Sequence, residues 1–154
     1  MAENGKVAEA LGFFFQAVEL SPKTALYYYQ IGEVMHVFRS KILTTGLFSE
    51  SELEESMLQA FANAARLAPD NRTFRFRYAE SFYDVQNPDW ETALSLWADL
   101  QKGAKPGLEA DAVRLHRARS LLMLKRFDEA LALASIVETP ALATSRQEII
   151  DQAK

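Results

Sequence analysis

Residues 74–85 read FRFRYAESFYDV. The first half alternates aromatic residues with arginine, the pattern of a strand that lays its rings against nucleic acid. On a strand Phe74, Phe76 and Tyr78 share a face, but the next residue on that face is Glu80 and the alternation fails. On a helix Phe74, Tyr78 and Phe82 stack at i, i+4 and i+8, Phe76 and Tyr83 form an adjoining stripe, and Arg77 reaches Glu80 three residues on. The glycines of the RNA-binding aromatic strand are also missing. The stretch is read as a helix.

The flanks carry the same period. Leu53, Met57, Ala60/Phe61, Ala64/Ala65 and Leu67/Ala68 recur at three and four. Ser49-Glu50-Ser51-Glu52 before them fits a capping box, with Glu52 reaching back to Ser49. Ser21-Pro22, Asn87-Pro88 and Thr139-Pro140 each set a capping side chain before a proline suited to a first helical turn. Six glycines and five prolines in 154 residues leave room for long helices. The expectation is an all-α chain of about eight helices.

Pro22, Pro69, Pro106 and Pro140 stand 47, 37 and 34 residues apart. Ala10, Phe14, Ala17 and Pro22 have the offsets of Met57, Phe61, Ala64 and Pro69; Ala93 and Trp97 repeat the first of them. Ala130, in Arg126-Phe127-Asp128-Glu129-Ala130, fills the same slot. Tyr28, Ile31, Gly32 and Met35 run large, aliphatic, small, large, and Tyr78, Ala79 and Phe82 repeat the last three.

This register resembles the tetratricopeptide repeat family over nearly the whole chain. It implies one domain over 1–154, a right-handed superhelical solenoid of antiparallel helix pairs. Its parts would be an orphan second helix (1–21), a pair with an insertion near 36–56 (22–68), pairs over 70–103 and 106–137, and a terminal helix (139–153). Arg75, Arg114 and Arg117 stand in slots that are usually apolar, and Leu100, Ala134 and Val137 depart from the second-helix pattern.

Composition removes several chemistries. Without cysteine there is no disulfide, thiolate catalysis or cysteine-based metal site. His36 and His116 have no second ligand at zinc-site spacing, and no G-x-S-x-G elbow or phosphate-cradling loop occurs. No cofactor, metal or catalytic residue is expected. The net charge of −4 speaks against nucleic acid, and no apolar run is long enough for membrane insertion. No secretory signal is visible, so the compartment stays open with the cytoplasm as default. Glu50, Glu52, Glu54 and Glu55 are read as a solvated helix start that complements the macrodipole.

What remains is binding. The family resemblance implies a concave groove lined by first helices that holds a protein or peptide segment. Carried over by position, the groove residues are Tyr29, Glu33 and His36, then Phe76, Glu80 and Tyr83, then Leu115, Arg119 and Leu122. The aromatics would anchor a partner, and Glu33 and Glu80 would select basic neighbours. The same aromatics could equally serve packing between repeats.

Two rival readings stay open. Ile42, Leu43, Leu47 and Phe48 make the insertion apolar, either because its helices are longer and pack together or because it is an association patch, with Gly46 a helix stop. Phe13, Phe14 and Phe15 lie bare unless covered, by upstream helices of a longer protein or by the next pair. Self-association into a homo-oligomer, or service as the recruiting arm of a longer multidomain protein, is therefore the alternative to groove binding.

Overall fold

The computed structural model describes residues 2–154, with side chains from residue 5 onward. Among these residues there are nine α-helices, two short 3₁₀ turns and no strand. The chain divides into two compact units, Met1–Gln86 and Asn87–Lys154. The division falls inside the segment 70–103 that the sequence reads as one helix pair.

The first unit holds α1 (Ala2–Leu20), α2 (Ala25–Val37), α3 (Arg39–Thr44), α4 (Glu50–Leu67) and α5 (Arg72–Ser81), then a 3₁₀ turn at Phe82–Asp84. FRFRYAESFYDV is thus a helix that tightens into a 3₁₀ turn at Phe82. Helix α4 forms as its pattern requires, burying Leu53, Met57, Ala60, Phe61 and Ala64 on one stripe. Its capping box is complete: the Ser49 N–H donates to Glu52 Oε2 at 2.7 Å, and the Glu52 N–H donates to Ser49 Oγ at 3.2 Å. The core joins Val7 and Leu11 of α1, Ile31 and Met35 of α2, Ile42 of α3 and the α4 stripe.

Gly32 sets how closely α2 approaches α4. A Cβ there would lie 2.6 Å from Cε1 of Phe61, so only a hydrogen fits. Ala79, the same slot in α5, is fully buried.

The insertion becomes a separate short helix, α3, rather than an extension of its neighbours. It ends before Gly46, whose φ of +73° suits a helix stop. Ile42 is 2% exposed in the core, with Leu43 and Phe48 packed against it, and Leu47 alone of the four points outward. The proposed association patch is therefore mostly core, because α3 folds its apolar side inward.

The second unit holds α6 (Trp90–Lys102), α7 (Leu108–Met123), α8 (Phe127–Ser135), a 3₁₀ turn at Pro140–Leu142 and α9 (Ala143–Ala153). Ala93, Trp97, Val113, Ala118, Ala130 and Ala134 are fully buried. Helix α9 packs on both α7 and α8 and contributes Ile149 and Ile150 to a core with Leu115.

Two of the three expected proline caps move. Helix α2 starts at Ala25 after Thr24, leaving Pro22 in the preceding turn. Asp89, not Asn87, caps α6 by accepting from the Thr92 N–H at 3.1 Å. Thr139-Pro140 does open a 3₁₀ turn, but the Thr139 hydroxyl donates to Asp111 instead of capping it.

Helix α7 ends in a paired-bond C-terminal motif. The Arg126 N–H donates to the Leu121 carbonyl and the Lys125 N–H to that of Leu122, both at 2.9 Å. This places Lys125 at φ 61°, a left-handed position that disfavours a side chain. Lys125→Gly is expected to stabilise the protein by about 0.5–1 kcal/mol, read as a higher urea midpoint at unchanged slope.

Candidate functional site

The expected groove residues of the first unit lie on α2, α5 and the turn after α5, around the guanidinium of Arg77. Its Nε donates to Glu33 Oε1 at 2.6 Å, and Nη1 donates to Asp84 Oδ2 at 3.2 Å. Its Cζ stands 4.4 Å from the ring centre of buried Phe61. Arg77 therefore does not pair with Glu80 three residues on. Its flat guanidinium lies on Phe61 and satisfies two carboxylates from elsewhere, a better use of a planar donor than a local surface pair.

Tyr29 is partly a packing residue. It stacks on Phe74 with ring centroids 4.7 Å apart and meets Phe61 edge-on at 6.0 Å. Burial raises its phenol pKa, and the charges of Glu33 and Glu80 add to that. His36 sits at the open side, Nδ1 3.4 Å from Asp84 Oδ2. Phe76 is half-buried, and Tyr83 is exposed.

Glu80 differs from its neighbours. It is half-buried, and among the described residues nothing donates a hydrogen bond or ion pair to its carboxylate. Burial raises its pKa; Arg77 lowers it, and Asp84 and Glu33 raise it further. Glu33, Glu80 and Asp84 share one arginine, so the cluster is short of positive charge and Glu80 is the member left over.

In the second unit the carried-over residues behave differently. Leu115 is 2% exposed and belongs to the core with Ala118, Ala134 and α9. It lines no surface, because α9 covers that side of α7. Leu122 is half-buried against the same core, and Arg119 stands close enough to lower the pKa of His116. His116 itself stacks flat on Trp97, centroids 4.1 Å apart at 7°.

Sequence reasoning missed the Arg77 node and the Trp97–His116 stack, since both join residues far apart in the chain. Among the described residues no group of His, Asp or Glu is placed to hold a metal ion. Nor is any helix there long and apolar enough to cross a membrane.

Exposed apolar side chains are spread along the chain and include Phe13 at 71% and Leu20 at 88% on α1, while Phe14 packs inward. A second feature is a cleft of about 370 Å³ between α1 and α4, floored by α2. Comparison of the chain with family models, with curated proteins and with solved structures found no match.

Proposed function

We propose that the chain is a non-catalytic protein-interaction module that binds a partner segment on the α2/α5 face, with a lysine or arginine of the partner paired to Glu80. The observation that carries this reading is the Glu80 carboxylate, without a hydrogen-bond or ion-pair partner among the described residues and held half-buried beside two other acids. A charge so placed is a cost to the free protein that an incoming cation removes. Exposed Tyr83 beside it supplies apolar contact area at low entropic cost.

The wider architecture of this proposal is a tetratricopeptide-like right-handed solenoid. Burial along the repeat register supports it. Gly32, Ala79 and Ala118 hold the small slot of successive first helices, and Met57, Ala93 and Ala130 hold the corresponding slot of second helices, all buried. Self-association is the second reading, and the exposed Phe13 and Leu20 of α1 favour it. A mass that rises with concentration in sedimentation and falls back in Phe13→Ala would select it.

The test of the main reading is Glu80→Gln. A folded pKa above the unfolded one means that Glu80 favours folding only below the ordinary carboxylate range, and that this contribution is lost as pH rises through the folded pKa. At neutral pH Glu80→Gln is therefore expected to raise the melting temperature. In the same variant, partners captured by the wild-type chain should bind about tenfold or more weakly. A variant that gains stability and keeps full binding would remove Glu80 from the site.

A further inference from the structure

We propose that the cleft between α1 and α4 docks a helical segment of another protein, one that presents a large apolar side chain with a lysine or arginine beside it. Ile31 and Met35 form the apolar floor, Phe15 and Val18 line the α1 wall, and Glu55 and Gln59 line the α4 wall. Phe15 stays 41% exposed although it borders this apolar space. The volume of about 370 Å³ falls in the range of sites that take one or a few large side chains.

The charge at the cleft follows from a sorting of the acids that open α4. Arg39 bonds both Glu50 and Glu54. Glu52 is used by the Ser49 N–H, and Glu54 also accepts from the Gln86 N–H at 3.1 Å. Glu55 is the remainder: exposed, without a hydrogen-bond or ion-pair partner among the described residues, and facing the cleft. The acids of this helix start are thus not one solvated face. Three are structural and the fourth is available.

Because Arg39, just past α2, reaches the start of α4, the two helices run antiparallel. Glu55 therefore lies at the Met35 end of the cleft. At the Tyr28 end stands Asn63, whose side chain accepts from Arg66. The cleft runs from the charged Glu55 end to the uncharged Asn63 end over roughly 10 Å, the rise of the seven residues from Tyr28 to Met35. A segment lying along it meets Glu55 with a basic residue and the Asn63 end with an uncharged one. The walls are helix side chains and offer no open backbone edge, which fits a helix in a groove better than an added strand.

This site does not depend on the α2/α5 face. Tyr28, Ile31 and Met35 occupy a different stripe of α2 from Tyr29, Glu33 and His36.

The experiment is a phage selection with helical-scaffold peptides of about 15 residues on the immobilised full chain. Peptides with an apolar stripe and a basic residue at one end are expected. Glu55→Lys should weaken them about tenfold, and selection on that variant should return acidic residues at the same end. Gln59→Trp, which fills the cleft from an exposed wall position, should abolish binding, whereas Glu80→Gln should leave it intact. Recovery of no peptide would overturn the proposal, as would peptides indifferent to Glu55→Lys. Peptides lost with Glu80→Gln would move the site to the other face. A concentration-dependent mass that Gln59→Trp abolishes would give the cleft to a second copy and end the proposal. Urea unfolding of each variant shows that it is folded, and Glu55→Lys alone suffices if Gln59→Trp is not.

Discussion

Phe61→Ala is expected to destabilise the first unit by about 4 kcal/mol, in the range for a buried aromatic truncated to alanine. The ring is fully buried and three features of the unit depend on it. It fills the space opened by Gly32, where a Cβ would come within 2.6 Å. It presents its ring to Tyr29, and it carries the guanidinium of Arg77 on its face. Overfilling the same spot should cost nearly as much, with Gly32→Val losing about 3 kcal/mol to a clash that a fully packed ring cannot escape. The two sites are coupled. Gly32→Ala should be clearly destabilising in the wild type despite a gain of about 1 kcal/mol in helix propensity, and close to neutral once Phe61→Leu has made room. Urea unfolding followed by circular dichroism at 222 nm measures all four corners of this cycle. Effects that simply add would show that Gly32 and Phe61 do not press on each other, and the account of the α2–α4 approach would fail.

How far such packing is legible in the sequence depends on how local its causes are. The period of three and four placed α4 correctly, because burying one stripe of a helix needs only residues within it. The Ser49–Glu52 box was legible for the same reason, both partners lying within one turn. The proline caps at Ser21 and Asn87 failed: α2 starts after Thr24 with no side-chain cap bond, and at α6 a later residue offers a better start. Asp89 reaches the Thr92 N–H, and no proline argument predicts that competition.

The candidate site was legible in residue type but not in pairing. The aromatics and acids of α2 and α5 could be named from the register. That Arg77 goes to Glu33, 44 residues away, depends on how closely α2 and α5 pack. Leu115 is the plainest miss. Its position on α7 suits a groove, but its exposure is decided by α9, whose apolar residues Ile149 and Ile150 dock on that side.

The same logic of local position against distant cover governs the other large effect, an acid limb in the stability of the second unit. The ring of His116 lies flat on Trp97, and burial first, then the charge of Arg119, lowers its pKa from 6.5 to about 4. The unfolded chain takes up a proton near pH 6.5 and the folded unit only near 4. Between these values the unfolded state binds more protons, so stability fully present above about pH 6.5 drains away as pH falls, by about 3 kcal/mol in all.

Asp111 adds a second step lower down. Burial, at 5% exposure, would raise its pKa. Bonds from the Thr139 hydroxyl and N–H, from Arg114 and from the Glu138 N–H outweigh that and hold it at about 2. Its contribution is present above pH 3.8 and is lost as pH falls from there to about 2. Glu80 in the first unit works in the opposite sense, so a single unfolding curve mixes all three. His116→Phe separates them: the ring can still stack on Trp97 but no longer titrates. Urea midpoints followed by tryptophan fluorescence should then lose the fall that the wild type shows between about pH 6.5 and 4.5, leaving only the opposite trend of Glu80, with the loss below pH 4 kept. A phenylalanine variant with the wild-type slope across that window would show that the stacked imidazole titrates as freely in the folded unit as in the unfolded chain, and that its burial against Trp97 carries no energetic weight.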